Sequence, residues 1–282
     1  MQGKVCIVTG ATAGIGEVTA LELARMGATV VVISRSEAKC RATVDRIRAE
    51  TGNAKVDYLV ADMASQASIR AVAGAFRAKY ERLDVLVNNA GMYFAQRAES
   101  VDGIEQTWAL NHLGYFLLTD LLRDMLVASA PSRVVSVSSG AHMGGKINFA
   151  DVEGKQKYSG WAAYAQSKLA NILFTAELAR QLEGTGVSAN SLHPGFVASN
   201  FAMNNMTGAR SLLIPVFRLL QMATAISPEK GAQTNIFLAS SPAVEGVTGR
   251  YFAKSKAVTP SAAAQDMAAA RKLWELSEKM VG

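Results

Sequence analysis

Tyr164 and Lys168 stand one helical turn apart in Tyr164-Ala165-Gln166-Ser167-Lys168, so a phenol and an ammonium can meet on one helix face. A phenol with its ordinary pKa of about 10 is a poor base at neutral pH. A neighbouring cation stabilises the phenolate and brings it towards working range. Such a group could protonate the alkoxide formed when a carbonyl is reduced, or take the proton of an alcohol being oxidised. By itself the pair is an ordinary Tyr and Lys on a helix. Two further positions give it company. Ser138-Ser139 closes a β-branched run, where a hydroxyl can donate to a carbonyl oxygen and stabilise the charge developing there. Asn111 is an amide amid Leu110, Leu113 and Phe116; it can hold a water linking Lys168 to solvent, or satisfy a local backbone carbonyl.

These side chains need a frame to bring them together. Short runs rich in Val and Ile, at Val5–Thr9, Thr29–Ser34, Val56–Ala61, Val85–Asn88, Arg133–Ser138 and Val187–Leu192, predict strands. They are apolar on both faces, as strands of helix-covered parallel sheets are. Between them Ile15–Arg25, Glu37–Glu50, Ala67–Tyr80, Ile104–Ala128 and Trp161–Glu183 predict helices. The alternation predicts an α/β fold, a doubly wound parallel sheet of Rossmann type with helices on both faces and right-handed crossovers. No repeat or linker divides the chain, so residues 1–282 form a single domain. Two segments depart from the pattern. Residues 141–160 are polar and Gly-rich, a loop inserted after the fifth strand. Residues 196–226 turn apolar from Leu212 onward, just past a strand end, where open α/β sheets place their ligands.

The first strand runs into Thr9-Gly10-Ala11-Thr12-Ala13-Gly14-Ile15-Gly16 and then a helix. Glycines let backbone N–H groups approach a pyrophosphate closely, with the positive end of a helix behind them. In the first βα turn of an alternating chain this predicts a dinucleotide site, with Gly10, Thr12, Gly14, Ile15 and Gly16 as its contacts. An acid that would accept from a ribose 2′-hydroxyl normally ends the second strand. Ser34-Arg35 stands there instead, with no acid before Glu37. A guanidinium fork suits a 2′-phosphate that a carboxylate would repel, so NADP(H) is expected over NAD(H); the plainer alternative is a surface arginine at a helix start. Asp62 can accept from the adenine amino group or cap the following helix. Asn88-Asn89-Ala90-Gly91 can bring backbone to the cofactor while an Asn ties neighbouring strands together.

Composition narrows the partners. The net charge of +6, from 29 basic and 23 acidic residues, is mild and spread along the chain. No Lys/Arg block follows a phosphate backbone, so no nucleic-acid partner is expected. Cys6 and Cys40 are too far from any framework pattern to form one, and fit a reducing compartment. No secretory signal and no apolar run of roughly 18 residues is present, so no membrane span and a cytoplasmic location are expected. No metal site is expected.

In order, Thr9-Gly10-x-x-x-Gly14-x-Gly16, Asp62, Asn88-Asn89-Ala90-Gly91, Asn111, Ser139, Tyr164-x-x-x-Lys168 and Pro194-Gly195 resemble the motif series of the short-chain dehydrogenases/reductases. The resemblance covers most of the chain. It implies Ser139, rather than Ser138, as the hydroxyl facing substrate, with Asn111, Tyr164 and Lys168 beside it. It implies cofactor contacts from Arg35, Asp62, Asn89, Ala90, Gly91, Tyr164 and Lys168. Beyond Pro194-Gly195 it adds Val197 and also Ser199, which keeps a hydroxyl where the family usually has Thr. Asn111–Leu118, Ser167–Phe174, His193-Pro194-Gly195 and Ala270–Glu275 look like the retinol dehydrogenase and WW-domain oxidoreductase branch. That branch also carries the insertion between Ser and Tyr and an Arg such as Arg35. Its membrane-bound members have an N-terminal hydrophobic anchor; no such run is read here, so a soluble relative is expected and retinoids are weakened as substrates.

Leu212, Leu213, Val216, Phe217, Leu220 and Ala223 fall close to helical spacing, near Arg210 and Arg218. Residues 196–226 suit a lid over a lipophilic substrate, with a peripheral membrane contact and a homo-oligomer interface as the other readings. Met203 and Met206 suit an adaptable pocket, and His142 could touch substrate. His193 and His112 are expected to be structural. The function expected is NADP(H)-dependent interconversion of a lipophilic aldehyde or ketone and its alcohol. The alternative is a non-catalytic NADP(H)-sensing regulator, which loss of Tyr164 or Lys168 would have favoured.

Overall fold

The computed structural model describes residues 1–196 and 226–282. Val197, Ser199, Met203, Met206 and the apolar stripe from Leu212 to Ala223 lie outside the described residues, as does the lid expected over 196–226 except at Phe196 and Ile226.

Alternation of strand and helix gives β1 (Val5–Thr9), α1 (Gly14–Arg25), β2 (Thr29–Ser34), α2 (Glu37–Thr51), β3 (Val56–Val60), α3 (Gln66–Lys79) and β4 (Val85–Asn88). Three short helices follow, α4 (Gln106–Trp108), α5 (Gly114–Leu121) and α6 (Arg123–Ala128), then β5 (Ser132–Val137), α7 (Gly160–Gln181) and β6 (Val187–His193). Beyond residue 225 come α8 (Pro228–Ser240), β7 (Tyr251–Ala253), β8 (Lys256–Ala257) and α9 (Met267–Val281). The strands form one sheet in the order β3-β2-β1-β4-β5-β6-β7-β8, parallel except for the β7–β8 pair. Strand order reverses between β1 and β4, which makes their C-terminal edge the place for a ligand crevice.

Two-sided burial explains the sheet. Along β1, Val5 and Ile7 join a core shared with α3, α5, α7 and α9, while Cys6 and Val8 join one shared with α1, α2 and α8. That is the strand period of two, with both faces apolar. Each fully buried Leu, Ile, Val or Phe contributes roughly 1.5–3 kcal/mol. In the first core Trp274 of α9 stacks on Phe174 at 5.8 Å and meets Phe116 edge-on at 4.8 Å, so the last helix is part of the fold's interior.

The expected helix over Ile104–Ala128 is broken into pieces. Glu105 ends the preceding turn and its buried carboxylate accepts from the N–H groups of Thr107 and Trp108, both at 2.8 Å, so the helix starts only at Gln106. A wide π turn then spans Ala109–Leu113, and Leu122 leaves helical geometry between α5 and α6. Residues 141–160 form a loop as expected, apart from a 3₁₀ turn at Gly140–Gly144. Caps fix other boundaries: Ser65, not Asp62, caps α3, accepting from Ser68 N–H at 3.4 Å.

At the opposite edge from the ligand crevice, Asp84 ties the sheet together. Its carboxylate accepts from Lys4 Nζ (2.9 Å), Val5 N (2.9 Å) and both Nε (2.8 Å) and an Nη of Arg82 (2.6 Å). Burial pushes its pKa up, but these donors outweigh burial and hold it below the usual carboxylate range. Asp84→Ala should lower the unfolding free energy by about 1–3 kcal/mol at pH 7. Because the folded-state pKa is depressed, that stability is present above the unfolded value and is lost as pH falls through the folded one. Urea unfolding of both proteins at pH 7 and pH 3 should show the difference shrinking at the lower pH.

Candidate active site

The first βα turn is drawn tight against β4. Thr9 Oγ1 donates to Val87 O (3.3 Å) and accepts from the N–H groups of Asn89 (2.9 Å) and Ala90 (3.0 Å), while Asn89 Nδ2 donates back to Thr9 O (2.7 Å). The tie between strands expected of this tetrapeptide is therefore made by Asn89; Asn88 Nδ2 donates instead to Thr119 Oγ1 of α5 at 2.8 Å. Gly10 has φ +64°, and a Cβ there would lie 2.8 Å from Ala90 Cα. At Gly16 a Cβ would fall 2.6 Å from Gly10 O. Neither position tolerates a side chain while the turn keeps this shape. Space opens at Gly14, and the cap residue Ala13 offers no side chain to the first N–H groups of α1, beside Ile15. Thr12 Oγ1 lies 3.1 Å from Ser34 Oγ, joining this turn to the end of β2. These uncapped amides fit a dinucleotide pyrophosphate.

Arg35 is exposed just past β2, and the nearest acid in sequence, Glu37, is engaged by Arg41 at 3.2 Å. Arg35 therefore stands just past the C-terminal end of β2, and among the described residues it forms no ion pair. Asp62 is exposed past β3 and its Oδ1 accepts from Ala64 N–H at 2.9 Å. It does not cap α3, which leaves the adenine contact as the role open to it.

The second cluster gathers where β4, β5 and α7 meet. Ser159 caps α7, accepting from Ala162 N–H at 3.4 Å, and the helix carries Tyr164 and Lys168 into the interior, 8 % and 3 % exposed. Lys168 Nζ donates to Val137 O at 3.1 Å, the last carbonyl of β5. It stands 5.7 Å from the ring centres of both Tyr164 and Tyr115. A Cβ on Gly91 would come within 3.2 Å of Lys168 Nζ and of Asn111 Oδ1, so that glycine leaves room for both. Burial pulls the Lys168 pKa down to about 7. Burial pushes Tyr164 up to about 12, and a hydrogen bond with Ser139 opposes the rise. Both shifts favour the neutral forms, so at neutral pH the phenol holds its proton.

Ser139 and Ser138 face opposite ways, as consecutive residues leaving a strand must. Ser138 Oγ is buried and donates to Lys168 O at 2.7 Å. Ser139 is half-buried beside Tyr164, and its Oγ accepts from Ala141 N–H at 3.2 Å. Asn111 lies in the π turn, whose extra residue re-aims the side chain. Its amide clamps Met92, accepting from the N–H and donating to the C=O at 2.9 Å each, and donates to Ser167 Oγ at 3.1 Å. Of the two roles open to Asn111, the geometry is that of satisfying a backbone carbonyl, on the loop after Gly91 rather than in its own helix.

His142 corrects an expectation. It is 2 % exposed, its Nδ1 donates to Ser139 O at 2.7 Å and its Nε2 accepts from Ser261 N–H at 3.3 Å. Burial lowers its pKa and Tyr251 packs on its ring at 4.9 Å. It supports the Ser139 backbone and presents nothing to a substrate. His112 is buried and His193 half-buried in structural contacts, as expected. Sequence reasoning passed over Tyr93, whose ring meets Tyr164 edge-on at 6.2 Å, and Tyr115; neither stands in a pattern that would single it out. Among the described residues no group of ligands could hold a metal ion, and no helix is long and apolar enough to cross a membrane.

Residues 4–209 match the short chain dehydrogenase family. The chain is 44 % identical to human retinol dehydrogenase 14, a match covering 100 % of this chain and 87 % of that protein. Among solved structures, an uncharacterized protein from Mycobacterium paratuberculosis superposes with a TM-score of 0.78 at 32 % identity, covering 99 % of this chain and 94 % of that one. RhlG of Pseudomonas aeruginosa, in an active-site complex with NADP, superposes with a TM-score of 0.69 at 28 % identity over 89 % of this chain and 94 % of its own.

Proposed function

The chain belongs to the short chain dehydrogenase family of CH–OH/C=O oxidoreductases, and on that premise we propose that it interconverts a lipophilic aldehyde or ketone and its alcohol with NADP(H). The observation that carries this reading is the buried Tyr164–Lys168 pair, with Ser139 beside the phenol. When bound, the nicotinamide supplies or accepts the hydride. Tyr164 gives its proton to the oxygen that gains charge in reduction, and takes it back in oxidation. A phenol held at about pKa 12 keeps that proton at neutral pH, as an acid must, and is still far more acidic than an alcohol. Ser139 Oγ donates to the same oxygen and stabilises its charge. Lys168, poised near 7, passes protons to and from Tyr164 and favours the phenolate when charged. Asn111 keeps Gly91 and Met92 in place above Lys168.

The turn Gly10–Gly16, with Thr12, Gly14 and Ile15, takes the pyrophosphate; Asp62 and the backbone of Asn89, Ala90 and Gly91 take the adenine side and ribose. Val197 and Ser199 take the carboxamide. Arg35 takes the 2′-phosphate, a reading supported by its exposure past β2 and by a relative solved with NADP. Residues 1–282 act as one catalytic domain, with the insertion 141–160 beside Ser139 and a lid at 196–226. A lipophilic substrate is supported by Met143, Trp161 and Phe196, which are 66 %, 60 % and 60 % exposed on the segments that flank Ser139, Tyr164 and Pro194-Gly195. The retinol dehydrogenase relatives point the same way. The two buried free thiols suit a cytoplasmic setting.

Two variants test this reading. In an assay of NADPH oxidation against a panel of aldehydes and ketones, Tyr164→Phe should lower kcat by about 10²–10⁴-fold while NADPH still binds. Equal inactivity of both proteins on every carbonyl, with NADPH bound, would favour a sensing role instead. Arg35→Asp should shift the kcat/KM ratio of NADPH to NADH by about 10–100-fold towards NADH. An unchanged ratio would remove Arg35 from the 2′-phosphate site.

A further inference from the structure

Behind Lys168 lies a run of buried polar groups that the proposed chemistry does not use. Asn171, three residues further along α7, is completely buried. Its Nδ2 donates at 3.2 Å to Val137 O, the same oxygen that accepts from Lys168 Nζ at 3.1 Å. The amide cannot be turned over, because its oxygen would then face the Val137 carbonyl oxygen, acceptor against acceptor. Its Oδ1 is therefore directed away from Val137, and it is buried with no hydrogen-bond partner. His112 is also completely buried, and its Nδ1 is likewise unpaired. Burial drives the His112 pKa down to about 3, and Asn171 is the side chain that opposes the fall. The His112 ring sits against Trp108 at 4.6 Å and Phe174 at 6.3 Å, and its Nε2 lies 2.8 Å from Ser277 Oγ of α9.

Proton counting selects between the two neutral forms of His112. Ser277 Oγ is also 2.8 Å from Leu273 O, and it has one proton to give. With the ring proton on Nε2, Ser277 donates to Leu273 O, and both Nδ1 and Asn171 Oδ1 stay unpaired in the interior. With the proton on Nδ1, Ser277 donates to Nε2 and the remaining ring N–H is left for the Asn171 side chain, the hydrogen-bonding neighbour that raises the His112 pKa. Leu273 O keeps the backbone bond of its own helix in either case. The second form leaves fewer buried polar atoms unsatisfied. Its donors then all point one way, from Ser277 to His112 to Asn171 to Val137 O, and each polarises the next.

We propose that Asn171, held by His112 and Ser277, is a positioning residue for Lys168: by sharing the Val137 carbonyl it fixes the ammonium beside Tyr164 and weakens its grip on the proton. The positive end of the amide dipole meets the ammonium at one oxygen, which makes that oxygen a poorer acceptor for the charge. The other groups facing Lys168 are the Tyr164 and Tyr115 rings, Asn111 Oδ1 across Gly91, and Ser138, whose hydroxyl is spent on the Lys168 carbonyl. Burial lowers its proton affinity, and the Val137 carbonyl is the acceptor its ammonium donates to. The inference rests on Tyr164 and Lys168 being the acid–base pair.

The test is a titration of Lys168 in the ligand-free protein by NMR of lysines carrying carbon-13 at Cε, its signal assigned by loss in Lys168→Met. Asn171→Leu should raise the Lys168 midpoint by about 0.5–1 pH unit. His112→Phe, which keeps the ring packing, should raise it in the same direction by a smaller step, and decides the matter if Asn171→Leu does not fold. The pH profile of kcat should move with the midpoint while the Kd for NADPH stays constant. Midpoints that stay within about 0.2 unit of wild type, or that fall, overturn the proposal. That failure is distinct from failure of the acid–base reading, which would show as Tyr164→Phe turning over as fast as wild type.

Discussion

An ammonium held in the interior against a strand-end carbonyl is the constraint around which the site is arranged. Lys168 donates to Val137 O at 3.1 Å and is almost wholly out of water. A buried charge is costly, and the cost appears as a pKa drawn down to about 7. That carbonyl belongs to the last residue of β5 and takes its donors from α7, Lys168 and Asn171. The helix that delivers the lysine must start close by, which the Ser159 cap ensures. The loop after β4 must pass without a side chain, which Gly91 ensures. Tyr164 inherits the same burial and is driven the opposite way.

The two halves of the site have different physical characters. The turn from Gly10 to Gly16 is a backbone device, in which Thr9, Asn89 and Ala90 draw β1 and β4 together and leave the first amides of α1 uncapped. The Tyr164–Lys168 half is a side-chain device supported from behind by α5, the π turn and α9. Trp274 and Ser277 link that last helix to Phe174 and His112, so a helix far along the chain braces the helix that carries Tyr164 and Lys168. The Glu105 carboxylate, accepting from the amides of Thr107 and Trp108, sets where the helix bearing Asn111 begins.

Much of this was legible in the sequence, and the remainder was hidden for physical reasons. Val5–Thr9, Thr29–Ser34 and Val85–Asn88 have the bounds that β-branched runs predict, because both faces of a central parallel strand need apolar residues. The Gly-rich turn and the Tyr164–Lys168 spacing are local patterns and survive reading in one dimension. The break in 104–128 was not legible, since it depends on a carboxylate cap and a π turn that hydrophobic periodicity does not encode. Nor was β7, three residues long, or the burial of His142, whose partners Tyr251 and Ser261 lie more than a hundred residues away. Ser139 rather than Ser138 is what the family resemblance implies; strand alternation turns Ser138 to the Lys168 carbonyl.

The central claim is that Tyr164 keeps its proton in the empty site and releases it readily only when positive charge is brought beside it. Ultraviolet absorbance of phenolate, taken as the difference between wild type and Tyr164→Phe across pH, isolates this one tyrosine. The account predicts ionisation near pH 12 in the ligand-free protein, falling by about 2 units or more when NADP⁺ is bound and by less in Lys168→Met. The same midpoint with and without NADP⁺, or one that Lys168→Met leaves unmoved in the complex, would contradict it.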